Sequence, residues 1–321
     1  MDHLPALDGR RAAVRYRAGE RDGRPLHTDA VGDVAVHPDT LVVTTRRGPV
    51  VIARADVVAA RAVPPAVPRR ASWAAVARLE ELCADAWPSV VDERLGAWRL
   101  RAAGGWTGRA NSALALGDPG VPVPAALDAV RAFAERHAIP PVVSAPMGSP
   151  WDRAVADAGW VLDVGHAAGA EVAVLVADLR GLDGPAPGWS VELPERPSAD
   201  WWALGLRGGS PSAAQRHVLD PGGDPPTAFA LARGADGEPA GQVRAAVVGD
   251  HLHLSWLLVA PGHRRRGLGT ALTAAAAAWG RGRGARWGVL QVALHNADAR
   301  ALYGATGWTE HHRYRYLVPP S

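Results

Sequence analysis

The residues best suited to chemistry sit together in Val259-Ala260-Pro261-Gly262-His263-Arg264-Arg265-Arg266-Gly267-Leu268-Gly269-Thr270. An apolar strand-like run at 252–259 leads into this stretch, and a helix-like run at 271–279 follows it. The first-turn N–H groups of a helix have no partner inside the helix, and the helix dipole adds partial positive charge there. Gly267 and Gly269 let an anion approach the backbone with no Cβ in the way. Arg264, Arg265 and Arg266 add permanently charged, forked donors. Strand, glycine turn and helix in this order would cradle a pyrophosphate on the N–H groups of Arg264 to Thr270, Leu268 included. The chain has no lysine, all 35 of its Lys and Arg residues being arginine, so an arginine run here also fits a solvated loop. The local pattern leaves both readings open.

The elements that must carry this turn fall into three regions. Residues 9–65 alternate short strand-like runs (12–16, 31–36, 41–45, 50–52) with breaks at Pro38-Asp39 and Arg47-Gly48-Pro49. Short strands at close spacing suggest a small β-barrel. A proline-rich linker is expected at 63–68. Region 70–182 reads as a helix at 73–87, strands at 97–101 and 111–116, a helix at 124–137, a strand at 141–144 and a helix at 150–158. Leu127, Val130, Phe133 and Ala134 hold helical spacing in the second of these helices. After a glycine- and proline-rich linker at 181–188, region 188–321 repeats the order. It shows helical signals at 198–207 and 211–218, a hairpin of 228–232 with 242–248, and the strand that reaches the glycine turn. A strand at 287–294, a helix capped by Asn296 and a last strand at 313–318 complete it.

Regions two and three echo each other. Arg153-Ala154-Val155-Ala156-Asp157-Ala158-Gly159-Trp160 resembles Arg300-Ala301-Leu302-Tyr303-Gly304-Ala305-Thr306-Gly307-Trp308. One residue of gap aligns the Gly-Trp pairs and sets Ala156 opposite Tyr303. The echo reads as a tandem duplication, with chance similarity of two alanine-rich stretches as the alternative. Only the later copy has the glycine turn. The earlier one has Gly117-Asp118-Pro119-Gly120-Val121-Pro122, where two prolines remove donors that a phosphate would need.

Composition bounds the function classes. At 321 residues the chain suits two or three domains. The single cysteine, Cys83, rules out an internal disulfide framework and reads as a buried packing residue. A formal net charge of +3 is too mild to argue for nucleic-acid binding, and it suits an anionic ligand held at one patch. The longest apolar helical run is too short to span a membrane. Met1-Asp2-His3-Leu4-Pro5 lacks a signal-peptide pattern, so a cytoplasmic protein is expected. No metal site is expected.

Region three resembles the GNAT superfamily, the GCN5-related N-acetyltransferases. The resemblance rests on Arg264-Arg265-Arg266-Gly267-Leu268-Gly269 between strand and helix, on Asn296 after the next strand, and on Ala299 through Trp308 with Tyr303 and Gly307. The whole chain also resembles an actinobacterial group through Gly105-Trp106-Thr107-Gly108-Arg109-Ala110-Asn111-Ser112. That group has an SH3-like N-terminal barrel, a degenerate acetyltransferase unit and an active one, and its members are labelled N-acetylglutamate synthase or histone acetyltransferase. The implied fold class is α/β (α+β): tandem GNAT folds with mixed central sheets behind a small barrel. The implied domains are 9–65, 70–182 (degenerate) and 188–321 (catalytic).

The resemblance implies acetyl-CoA as donor, with no metal. Leu257, Leu258 and Val259 would then offer a strand edge to the pantetheine arm, and fixing a thioester beside an amine removes much of the entropic cost of their encounter. Tyr303 matches the family tyrosine that protonates the leaving thiolate. Seven residues separate it from Asn296, two helical turns, so both lie on one helix face. The alternatives are a core tyrosine and a plain N-cap. The family often has a glutamate on the strand before the glycine turn, and this sequence has His253 there, able to act as base near neutral pH. The alternatives are a solvent-facing edge histidine and a water relay. Arg109 and Asn111 are candidate acceptor contacts, or else turn and strand-cap residues. The acceptor would be a small amine, for instance an amino acid such as glutamate. The rival readings are a protein or peptide amine with the barrel as docking module, and a non-catalytic CoA-binding module.

Overall fold

Alternating Val, Ala and Thr residues between turn signals form the first of two units, Met1–Arg69. Its strands are β1 (Arg11–Arg21), β2 (Arg24–Val36), β3 (Thr40–Thr45), β4 (Gly48–Ala53) and β5 (Val57–Ala62). They form an antiparallel sheet in the order β4-β3-β2-β1-β5. The period of two brings Val14, Val34, Leu41, Val43 and Ile52 into one buried cluster. Strand β5 lies where the sequence pattern predicts none. The computed structural model describes every residue except 1–3, 46–47, 64–70, 183–188 and 321. Residues 64–68 of the first expected linker and 183–188 of the second are therefore outside the described residues.

The second unit is Arg70–Ser321. It opens with α1 (Trp73–Ala86), whose first turn is capped by Ser72 Oγ accepting from the Ala75 N–H at 3.2 Å. There follow β6 (Val91–Leu95), β7 (Trp98–Ala102), β8 (Ala113–Leu114), α2 (Val123–Arg136), β9 (Val143–Pro146), α3 (Pro150–Asp157), β10 (Val161–Leu162) and β11 (Glu171–Asp178). The later half contains β12 (Val191–Glu192), α4 (Ala199–Gly205), α5 (Ala213–Leu219), β13 (Thr227–Arg233), β14 (Pro239–Val248) and β15 (His251–Val259). It ends with α6 (Leu268–Gly282), β16 (Trp287–Ala293), α7 (Ala297–Ala305) and β17 (Thr309–Val318).

These strands make one mixed 12-stranded sheet, ordered β12-β13-β14-β15-β16-β11-β17-β9-β8-β7-β6, with β10 beside β17. Each half contains a parallel pair linked by a crossover helix, β8-α2-β9 and β15-α6-β16. The halves then exchange their last strands. Strand β11 of the earlier half pairs with β16 from Val172↔Ala293 to Asp178↔Trp287. Strand β17 of the later half pairs with β9 from Tyr314↔Pro146 to Leu317↔Val143. Between them, β11 and β17 pair with each other. Regions 70–182 and 188–321 thus share one sheet within a single compact unit.

Both faces of the sheet are covered. Helix α6 buries Leu268, Ala271, Leu272 and Ala276 on one face, against Val243, Leu252, Leu254 and Leu290. Helix α1 covers the opposite face at the strand exchange, where Leu79, Leu82 and Cys83 meet Val174, Val289 and Tyr314. Cys83 is buried as expected, and burial raises its thiol pKa well above the ordinary value.

The echo has a geometric counterpart with one correction. Gly159 and Gly307 follow α3 and α7 with φ of 87° and 86°. The next tryptophan N–H reaches back five residues in each case, Trp160 to Val155 O (3.3 Å) and Trp308 to Tyr303 O (3.1 Å). Val155, and not Ala156, therefore stands opposite Tyr303. The gap in the alignment belongs nearer the glycine. Among the described residues no helix is long and apolar enough to cross a membrane, and no three His, Cys, Asp or Glu side chains form a metal-binding group.

Candidate active site

The glycine turn joins β15 to α6 as the sequence predicts. Gly267 is the N-cap of α6 with φ 78°, a left-handed conformation that favours glycine. No side chain caps the helix, so its first N–H groups are left for an outside acceptor. Gly269 does a different job from the one expected of it. A Cβ there would lie 3.0 Å from Leu302 Cδ2, so its missing side chain lets α7 pack on α6. The three arginines are exposed and diverge. Arg264 Nε donates to Val259 O (3.3 Å), and the Arg266 guanidinium lies 5.5 Å over the Trp189 ring, whose Nε1 donates to Arg266 O (3.2 Å). Arg265 has φ 58°. Thr270 lies one residue further into the first turn.

The strand before the turn breaks its ladder. Against β14, Arg244 pairs with Ser255 but Gln242 pairs with Leu258, so Trp256 and Leu257 together oppose Val243. This is a β-bulge, and Trp256 carries its strain at φ 54°, a region bulky residues rarely adopt. On the other edge, the parallel pairing of β15 with β16 runs only from His251↔Trp287 to Leu254↔Leu290. Beyond that point β16 continues to Ala293 paired with β11 alone, while Leu257, Leu258 and Val259 stay with β14 or its bulge. The sheet therefore opens in a wedge between these residues and the end of β16. In the earlier half the equivalent strands stay joined, Ala115 N–H donating to Ser144 O at 3.0 Å.

Tyr303 and His253 lie on opposite faces of the sheet. Tyr303 is buried in the cluster under α6, with its ring 5.6 Å from Trp308. Burial pushes its phenol up to about 12, so the hydroxyl keeps its proton at neutral pH. The hydroxyl has no hydrogen-bond partner among the described residues. His253 is no edge residue: it is fully buried on the α1 face, 6.5 Å from the Trp87 ring. Burial, then the guanidiniums of Arg109 and Arg244, hold its imidazole well below the ordinary value of 6.5. It is therefore neutral. Neither ring nitrogen makes a well-formed hydrogen bond, Gln291 being the polar side chain turned toward it.

Asn296 is the N-cap of α7, its Oδ1 accepting from the Ala299 N–H at 3.1 Å. Arg109 crosses from the earlier half, donating to Gln291 Oε1 at 3.1 Å with its guanidinium 4.3 Å over Trp87. Asn111 is not an acceptor contact. Its Oδ1 accepts from the N–H groups of Ala103 and Gly105, and its Nδ2 donates to Trp106 O and Thr107 O. All its polar capacity braces the loop that carries Arg109. Sequence reasoning missed Gln242, Arg244, Ser255 and Gln291 beside His253. Two polar residues two apart in the apolar strand 240–248 were the available signal for Gln242 and Arg244.

Residues 73–317 match a family model described as "Probable histone acetyltransferase Rv0428c C-terminal". The chain belongs to this family of GNAT acetyltransferases. It is 32% identical over 326 residues to the probable histone acetyltransferase Rv0428c of Mycobacterium tuberculosis, covering 100% of this chain and 98% of that one. It is 26% identical to the uncharacterized N-acetyltransferase YobR of Bacillus subtilis over 74% of this chain and 97% of YobR. A GCN5-related N-acetyltransferase from Kribbella flavida shares the fold with a TM-score of 0.58 at 18% identity, over 76% of this chain and 95% of that one. As GNAT acetyltransferases use acetyl-CoA and an amine acceptor, the protein is an acyltransferase of that type.

Proposed function

We propose that the protein transfers the acetyl group of acetyl-CoA to the primary amine of a small molecule, and that the later half carries the catalysis. The earlier half would bind no CoA, and the N-terminal sheet would be an SH3-like barrel over 9–65. One observation carries the reading of the site: the wedge in the sheet links the face with Tyr303 and the α6 N-terminus to the face with neutral His253. A thioester arm lying in that wedge could meet an amine arriving from the other side.

The pyrophosphate would rest on the N–H groups of Arg264 to Thr270, with Arg264, Arg265 and Arg266 adding charge around it. The edges of Leu257, Leu258 and Val259 would pair with the amide groups of the pantetheine arm, and Asn296 would approach the same arm through its Nδ2. The acceptor ammonium loses one proton to solvent, and the neutral amine donates a hydrogen bond to His253. As the nitrogen bonds to the thioester carbonyl carbon it becomes acidic, and His253 takes its second proton; the C–S bond breaks, Tyr303 gives its proton to the thiolate, and the proton on His253 returns to Tyr303 through solvent. Arg109 borders the acceptor side.

The name of the mycobacterial relative favours a second reading, transfer to a protein amine. The full burial of His253 weighs against an open peptide groove. Incubation with acetyl-CoA and a panel of amino acids, polyamines and lysine peptides, followed by free-thiol release, separates the two. Turnover confined to small amines is expected. Turnover confined to peptides would replace the first reading by the second, and no turnover with any amine would remove both.

A further inference from the structure

Strands β14 and β15 present a set of buried polar groups to the face away from α6. Arg244 and Ser255 stand opposite each other across the ladder, and His253 is one side-chain row along from them. Gln242, Arg244 and His253 are fully buried, and Ser255 nearly so. Gln242 Nε2 and Oε1, Arg244 Nη2, both His253 nitrogens and Ser255 Oγ make no well-formed hydrogen bond, Gln291 being turned toward His253. A buried polar atom without a partner is unusual enough to call for an explanation, and here six occur together.

The charges point the same way. Arg244 Nε donates to Leu219 O (2.7 Å) and Nη1 to Ala86 O (2.9 Å), which fixes the guanidinium and leaves Nη2 free. Arg109 and Arg244 approach one tryptophan, with guanidinium carbons 4.3 and 5.4 Å from the Trp87 ring. Neither forms an ion pair with a carboxylate among the described residues. Burial, and then the neighbouring charge of Arg109, lower Arg244 to about 9. Arg244 is fully buried and Arg109 partly so. Asp220 acts on Arg244 only through space and pairs with Arg196, and buried Glu80 is held by His312, so neither carboxylate touches the two guanidiniums.

We infer that the acetyl acceptor supplies a negative charge there: it is an amine that also carries a carboxylate, as an amino acid does. The carboxylate would lie between Arg244 Nη2, Arg109 and Ser255 Oγ, with the amine turned to His253. Trp87, Trp106 and Trp256 pack beside these groups, ring centroids 5.8 Å apart for Trp87–Trp106 and 5.6 Å for Trp106–Trp256. Trp106 and Trp256 are partly exposed. This substrate class rests on the acetyltransferase reading of the same site.

The test uses the full chain, acetyl-CoA, and three acceptors (L-alanine, 4-aminobutyrate and L-glutamate), each beside its carboxamide. At least one acid is expected to exceed its carboxamide by about 30-fold or more in kcat/KM, the scale for leaving a buried charge unpaired. Arg244→Met should erase that preference mainly through KM. If that variant does not fold, Arg109→Gln is read in its place. Equal use of acid and carboxamide by the wild-type protein overturns the inference, as does turnover of lysine peptides alone. Glutarate, a dicarboxylate with no amine, separates this failure from that of the enzyme reading. It is expected to raise the wild-type unfolding temperature and to lose that effect in Arg109→Gln. With no amine turned over, stabilisation by glutarate upholds the anion site, and its absence removes the site as well.

Discussion

Leu254 and Leu290 are the last residues that join β15 to β16, and the bulge at Trp256 begins two residues later. The parallel ladder thus ends just before the bulge starts, and the opening lies between the α6 N-terminus and the face that holds His253.

Tyr303→Phe should lower kcat by about 100-fold or more, the scale of a lost general acid. Its hydroxyl has no partner among the described residues, so the unfolding temperature should stay within a degree or two of wild type. Steady-state thiol release and a thermal melt check both. An undiminished kcat would remove the assignment.

Gly267→Ala forces a side chain into φ 78°. The strain is about 1 kcal/mol or more and falls at the anion cradle. A roughly tenfold rise in KM for acetyl-CoA is expected, with the acceptor KM unchanged. Titration of CoA by calorimetry gives the same answer without turnover.

His253 sets a pH dependence whose sign is fixed by its depressed pKa. The unfolded state, with the imidazole near 6.5, binds the proton more readily than the folded state. The stability due to a neutral His253 is therefore complete above pH 6.5 and is lost as pH falls below it toward the folded value. Denaturant melts from pH 7.5 to 5 should fall more steeply for wild type than for His253→Gln. Parallel curves would show that the imidazole is not held neutral.

Separating the chain between β11 and β12 should leave neither half soluble. Residues 189–321 alone would expose the edge of β16 that β11 covers, and such edges aggregate. Co-expression of 70–182 with 189–321 should restore soluble protein with CoA affinity. A well-folded 189–321 fragment would contradict this.

The crossover elements were legible because their signals are local. The Ser72 cap and the periodic Leu127, Val130 and Phe133 needed no distant partner, and the glycine turn gave the start of α6 to within a few residues. The strand exchange was not legible, since β11 and β17 would pair equally well within their own halves by pattern alone. The bulge was hidden for another reason: nothing local marks a tryptophan for φ 54°. His253 was found through its place on the strand, but its burial depended on α1 and Trp87, far away in sequence. Asn111 misled because a polar residue in a glycine-rich loop looks the same whether it binds a ligand or the loop itself.

The strand exchange also constrains how this protein can change. Here deletion of 70–182 would remove β11, and with it the neighbour of the strand that forms one side of the opening. The earlier half is tied to the later one through the sheet: whatever its other residues do, its last strand cannot be lost.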